Sequence, residues 1–212
     1  MKKYIAEFTG TFALVFCGTG AIIINEQTGG QIGHAGIAIT FGLIVMAMIY
    51  SFGNSSGAHF NPAVSIAFWA AKLLPKKEVL PYIVSQTTGA FLATFILKIL
   101  FPENINLGST TPSGTASQSF ILEIILTFIL MLVILSTSQG SKELGVMAGL
   151  AIGATVLLEA MFAGPICGAS MNPARSLAPA ILSGNVQTLW IYLSAPVLGA
   201  LLSVIVWQTQ RN

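Results

Sequence analysis

Six apolar runs, each about 17 to 23 residues long, divide this chain, and a run of that length crosses the ~30 Å hydrocarbon core of a bilayer as a helix. They cover approximately residues 4–24, 35–52, 79–101, 119–137, 146–162 and 189–207. Gly, Ser, Thr, Pro, Lys or Asn punctuates each boundary, and 102–118 reads as the one long polar connection. Composition agrees: 54% of residues are hydrophobic and 8% charged, with a mean hydropathy of +0.82, far outside the soluble range. A lipid-embedded chain must satisfy its backbone within each segment, so these runs are predicted to be helices.

The sparse charges set topology. Lys2, Lys3, Lys72, Lys76, Lys77, Lys142 and Arg211 fall in one alternate set of loops, whereas the other set holds only Lys98 and Arg175. The positive-inside rule then places both termini in the cytoplasm, and an even number of crossings follows. A net charge of +2 without a basic patch gives no reason to expect nucleic acid as a partner. Met1-Lys2-Lys3 before an apolar run ending at Cys17 imitates a lipoprotein signal. Bulky Phe16 and the acidic Glu7 argue against cleavage, and the segment reads as a retained first membrane helix. Cys17 and Cys167 lie in apolar or small-residue stretches without the spacing of a metal or redox pair, and Cys17 reads as a packing residue.

The chain repeats itself. AEFTGTF at 6–12 is echoed by LEIILTF at 122–128, and Asn61-Pro62-Ala63 by Asn172-Pro173-Ala174. Each copy contains three crossings, at 1–101 and 119–212 of a single 1–212 domain. An odd number forces the second copy to insert upside down, which gives an inverted repeat.

After Asn61 the apolar stretch is about twelve residues long, enough for half a bilayer at ~1.5 Å per residue. Asn is a strong N-cap and Pro suits the first helical position, so both Asn-Pro pairs are predicted to start re-entrant half-helices. Irregular backbone before them is tolerated at membrane depth only beside a wet cavity. The positive ends of two half-helices entering from opposite faces converge and repel cations and protons. The Asn61 and Asn172 amides are placed to donate hydrogen bonds to a passing oxygen, and loop carbonyls to accept them.

SGAHFNPAV at 56–64 and GASMNPARS at 168–176 resemble the signature loops of the aquaporin, or major intrinsic protein, family, and the resemblance covers the whole chain. It implies an all-α membrane protein of six transmembrane helices plus two half-helices, working as a homotetramer in the lipid bilayer. By the same resemblance Glu7 and Glu123 brace the two loops, and the carbonyls of Gly57, Ala58, His59, Gly168, Ala169 and Ser170 line the pore. A four-residue constriction falls on Phe41, Ala160, Ala169 and Arg175. Water-selective members usually carry His at the Ala160 position, and glycerol facilitators a second aromatic at the Ala169 position and Asp after the Arg. This chain has neither pattern.

The segment 163–180 is most similar to the plant nodulin-like intrinsic proteins and their bacterial relatives, which implies passage of water, glycerol and neutral metalloid hydroxides such as boric or arsenous acid. That group often has Trp where this chain has Phe41. The expected function is thus a passive channel for water and small uncharged solutes that excludes ions and protons, in a bacterial plasma membrane. A strict water channel is the alternative. A proton-coupled transporter using Glu7, Glu123 and Glu159 is the rival of another class; Glu159 has no counterpart in the first repeat and no role assigned by the resemblance. Ser65 and His59 lack an orienting acid, His34 and His59 differ in depth, and no phosphate loop or metal cluster occurs, so no enzyme, metal or cofactor is expected.

Overall fold

A computed structural model describes residues 1–210, which form eight helices: α1 (Lys2–Gln27), α2 (Gly33–Ser56), α3 (Pro62–Ala70), α4 (Lys76–Leu100), α5 (Ala116–Ser138), α6 (Lys142–Cys167), α7 (Pro173–Ser183) and α8 (Leu189–Thr209). Arg211, counted above among the cations of one loop set, lies outside the described residues. Six of the helices are long and apolar enough to span a membrane, and α3 and α7 are the two short ones.

The helices overrun the apolar runs at most ends, because polar residues at an interface keep their backbone bonds while their side chains reach water. The largest extension is in α6, which continues past residue 162 through Pro165 to Cys167. Proline lacks the N–H that would bond the carbonyl four residues back, at Met161. The His34 ring nitrogen of α2 lies 2.8 Å from that carbonyl, so an outside partner replaces the missing bond. The first half-helix is shorter than the apolar stretch, ending at Ala70 after nine residues.

Helix α1 packs along α4 and α5 along α8, with α2 against α6 joining the two sets. Small residues let the backbones meet, as is usual between membrane helices. A Cβ on Gly89 of α4 would strike the Phe8 carbonyl of α1, and one on Gly199 of α8 would strike the Ile124 carbonyl of α5. Residues 102–115 are more than a tether: Leu107 is fully buried, and Ser113 N–H bonds the Ile166 carbonyl at 3.0 Å.

Candidate functional site

Two loops with the same backbone run from α2 into α3 and from α6 into α7. Gly57 and Gly168 end the preceding helices in the left-handed region, at φ 84° and 82°. Ala58 and Phe60 follow with φ of 52° and 48°, and Ala169 and Met171 with 40° and 53°. Left-handed non-glycine residues cost about 1–3 kcal/mol each and persist only where surrounding bonds hold them. The Glu7 carboxylate of α1 accepts from His59 N–H at 2.9 Å and Phe60 N–H at 2.7 Å. Glu123 of α5 accepts from Ser170 N–H at 2.7 Å and Met171 N–H at 2.8 Å. Both carboxylates are fully buried, and these charge-assisted bonds offset the cost of keeping a carboxyl group in the membrane interior.

The loops then meet tip to tip. Asn61 Nδ2–H donates to the Met171 carbonyl at 2.7 Å, and Asn172 Nδ2–H to the Phe60 carbonyl at 2.8 Å. Each Asn also caps its own half-helix: Asn61 Oδ1 accepts from Ala63 N–H at 2.9 Å, and Asn172 Oδ1 from Ala174 N–H at 3.0 Å and Arg175 N–H at 3.3 Å. A side-chain amide has two N–H donors, so one on each Asn stays unspent.

Around this contact lie polar networks that sequence reasoning missed. Gln86 of α4 donates to Glu7 at 2.7 Å and to the Ser65 hydroxyl at 2.9 Å, and Ser65 Oγ lies 3.0 Å from His59 Nδ1. The His59 ring packs 4.4 Å from Phe68. In the second loop Ser176 takes the place of Ser65, bonding Ser170 and, at 2.7 Å, Thr110. Tyr82 donates to the Ser56 carbonyl and Tyr192 to the Cys167 carbonyl, both at 2.8 Å. Among the described residues no carboxylate bonds the His59 ring, whose partner is Ser65, and no group of three His, Cys, Asp or Glu could hold a metal.

One cavity of about 750 Å³ touches both loops. Its wall runs from Tyr50, Gly53 and Lys142 at one end, past Asn61 and Asn172, to Phe41, Ala160, Ala169 and Arg175 at the other. Gly57, Ala58, His59 and Ser170 also line it. Gly168 is not among the lining residues: it sits behind the loop, where an added Cβ would meet Thr110 at 3.0 Å. Apolar Leu14, Val45, Ile49 and Ile152 make up much of the opposite wall.

Arg175 is buried, donates from Nη1 to the Gly108 carbonyl at 2.9 Å, and holds its guanidinium 5.2 Å from the Phe41 ring centre. A single carbonyl leaves most of its five N–H donors available. Gly18 of α1 makes room for that ring, since any Cβ there would fall on Phe41.

Six membrane-length helices and two half-helices that meet beside a mostly apolar cavity with a polar side have the architecture of a membrane channel. The chain belongs to the major intrinsic protein family, whose model matches residues 1–207. It is 47% identical over 201 residues to aquaporin NIP1-1 of Oryza sativa subsp. japonica, covering 94% of this chain and 71% of that protein. It is 43% identical over 212 residues to nodulin-26 of Glycine max, covering 100% of this chain and 78% of the relative. The X-ray structure of the aquaglyceroporin from Plasmodium falciparum matches with a TM-score of 0.87 and 27% identity, over 97% of this chain and 94% of that one. The protein is a multi-pass membrane channel of the aquaporin kind, and that family is one of channels rather than enzymes.

Proposed function

We propose that the cavity between the two loops conducts water and small uncharged solutes of the glycerol and metalloid-hydroxide class down their gradients, and excludes ions and protons. The observation that carries this reading is Ala160, which presents only a methyl group where Phe41, Ala169 and Arg175 come together on the cavity wall. A polyol or B(OH)₃ gives up most of its hydration there, and each polar group left unpaired costs about 1–3 kcal/mol. Available donors of Arg175 and the free N–H groups of Asn61 and Asn172 meet the solute's oxygens, while the apolar wall adds no competing bond. The loop carbonyls from Gly57 to His59 and at Ala169 and Ser170 serve as the acceptors.

Cation exclusion follows from two half-helix N-termini aimed at the paired Asn together with the Arg175 charge. Glu7 and Glu123 act as braces in this reading: their oxygens are engaged by loop amides, which argues against a shuttling proton carrier. The inverted halves 1–101 and 119–212, both termini on the cytoplasmic side of a bacterial plasma membrane, and a homotetramer of independent pores complete the proposal.

Stopped-flow measurements on proteoliposomes, with water, glycerol, boric acid and arsenous acid in turn, test it. Linear, gradient-driven flux of all four without proton movement is the expected result. Flux that requires a proton gradient would favour the transporter instead.

A further inference from the structure

The two braces are built unequally. Glu7 has four donors: besides two loop amides it accepts from the Ser56 hydroxyl at 2.7 Å and the Gln86 amide at 2.7 Å. Glu123 accepts from two loop amides. The residue matching Ser56 is Cys167, whose thiol is a weaker donor shared between Glu123 and the Ala163 carbonyl at 3.5 Å, and the residue matching Gln86 is Pro196, which has no donor. Beside this thinner brace stands Glu159 of α6, 1% exposed, with neither carboxyl oxygen hydrogen-bonded to any protein group. It lies beyond hydrogen-bond reach of Glu123 yet close enough for the two carboxyl groups to act on each other electrostatically. Its match in the first repeat is the apolar Met48.

Two carboxylates confined together away from water cannot both stay ionised, and the one holding backbone N–H bonds keeps the charge. The neighbours are consistent with that division. Glu123 is the charged group that α5 turns toward Glu159, Arg175 and Tyr192 act electrostatically on Glu123's side, and His34 of α2 is held at the Met161 carbonyl. Buried polar atoms without a protein partner are the usual seats of ordered water, which needs two or more polar groups to hold it.

We infer that Glu159 is a neutral acid which donates through an ordered water to Glu123, supplying the donor that Gln86 supplies to Glu7, and so positions the second loop with Ala169 and Arg175. Glu159 does not touch the cavity; it acts through Glu123 and is a positioning residue. The inference rests on the channel reading only for its flux arm.

Infrared difference spectra of the full chain in liposomes near neutral pH test the protonation directly. The wild type shows the carbonyl-stretch band of a buried carboxylic acid, and the band is lost in both Glu159→Gln and Glu159→Met. In stopped-flow assays Glu159→Gln, which retains a donor, keeps the glycerol-to-water permeability ratio within about twofold of wild type, whereas Glu159→Met shifts it about fivefold, the equivalent of one hydrogen bond. A wild-type spectrum without the band, or a band that survives both substitutions, overturns the inference. Equal flux ratios in the three proteins overturn the positioning role. A channel that passes water alone would refute the proposed solute range and leave the infrared result to decide this point.

Discussion

Asn61 and Asn172 each donate a hydrogen bond to the carbonyl of the residue that precedes the other, Met171 and Phe60 respectively. The pairing is reciprocal across the two loops and fixes both side chains: Oδ1 caps the helix, one N–H holds the opposite loop, and one N–H is left for the cavity. Neither Asn can rotate to follow a solute without breaking the junction.

Asn172→Asp keeps the cap but sets a carboxylate against the Phe60 carbonyl and removes the donor. It is expected to destabilise the fold by about 1–3 kcal/mol and to abolish most water flux. Asn172→Ala, which loses the cap as well, should unfold at a still lower temperature in detergent. A thermal midpoint for Asn172→Asp equal to that of wild type would contradict the junction.

Glu7→Gln replaces one acceptor oxygen with an NH₂ group that cannot receive the loop or Gln86 donors. At least one buried donor is orphaned, so stability is expected to fall by about 1–3 kcal/mol. Thermal unfolding in detergent measures this, and an unchanged midpoint would show that the carboxylate is dispensable.

Much of this was legible in the sequence. The six runs and the Asn-Pro helix starts depend on local chemistry that residue type encodes, the repeat on the echo between distant segments, and the glutamate pair on the family resemblance. The structure adds what residue type cannot show. Arg175 is held by the carbonyl of Gly108, and Met161 is rescued by His34, 127 residues away in sequence; a backbone carbonyl carries no signal of its own. Pro165 and Gly164 look like a helix end after residue 162, yet α6 continues to Cys167, with the distant His34 taking the carbonyl that Pro165 cannot bond. Gln86 gave no signal, and Ser65 drew notice only beside His59, because their importance lies in the contact between α4 and the first loop. The resemblance implied that the carbonyls of both Gly57 and Gly168 line the pore; Gly57 is on the cavity wall, whereas the Cα of Gly168 faces Thr110 of the connecting segment.

Gly18→Ala should push the Phe41 ring into the cavity, since the new methyl occupies the ring's present place. Solutes larger than water lose most from such a narrowing. We expect glycerol permeability to drop about tenfold, the effect of ~1.4 kcal/mol of added barrier, with a smaller change in water permeability. Equal losses for both would mean that Phe41 does not set the aperture.

Arg175→Ala removes the cation that lines the cavity wall with Ala160, together with its donors. Proton conductance, read with a pH-sensitive dye inside vesicles, should rise above that of wild type, and the glycerol-to-water permeability ratio should shift as the opening widens and its donors are lost. Proton and solute permeability both unchanged would detach Arg175 from selectivity.

Ala160→His tests whether a methyl group at this position opens the constriction to solutes beyond water. The imidazole would fill that space and compete for the hydrogen bonds of Arg175. The decisive measurement is the ratio of glycerol and boric acid permeability to water permeability, by stopped-flow in the same vesicles, for wild type and variant. Wild type is expected to pass all three, and Ala160→His to keep appreciable water flux while losing most of the solute flux. Wild type that passes water alone, or a variant with undiminished solute flux, would contradict it.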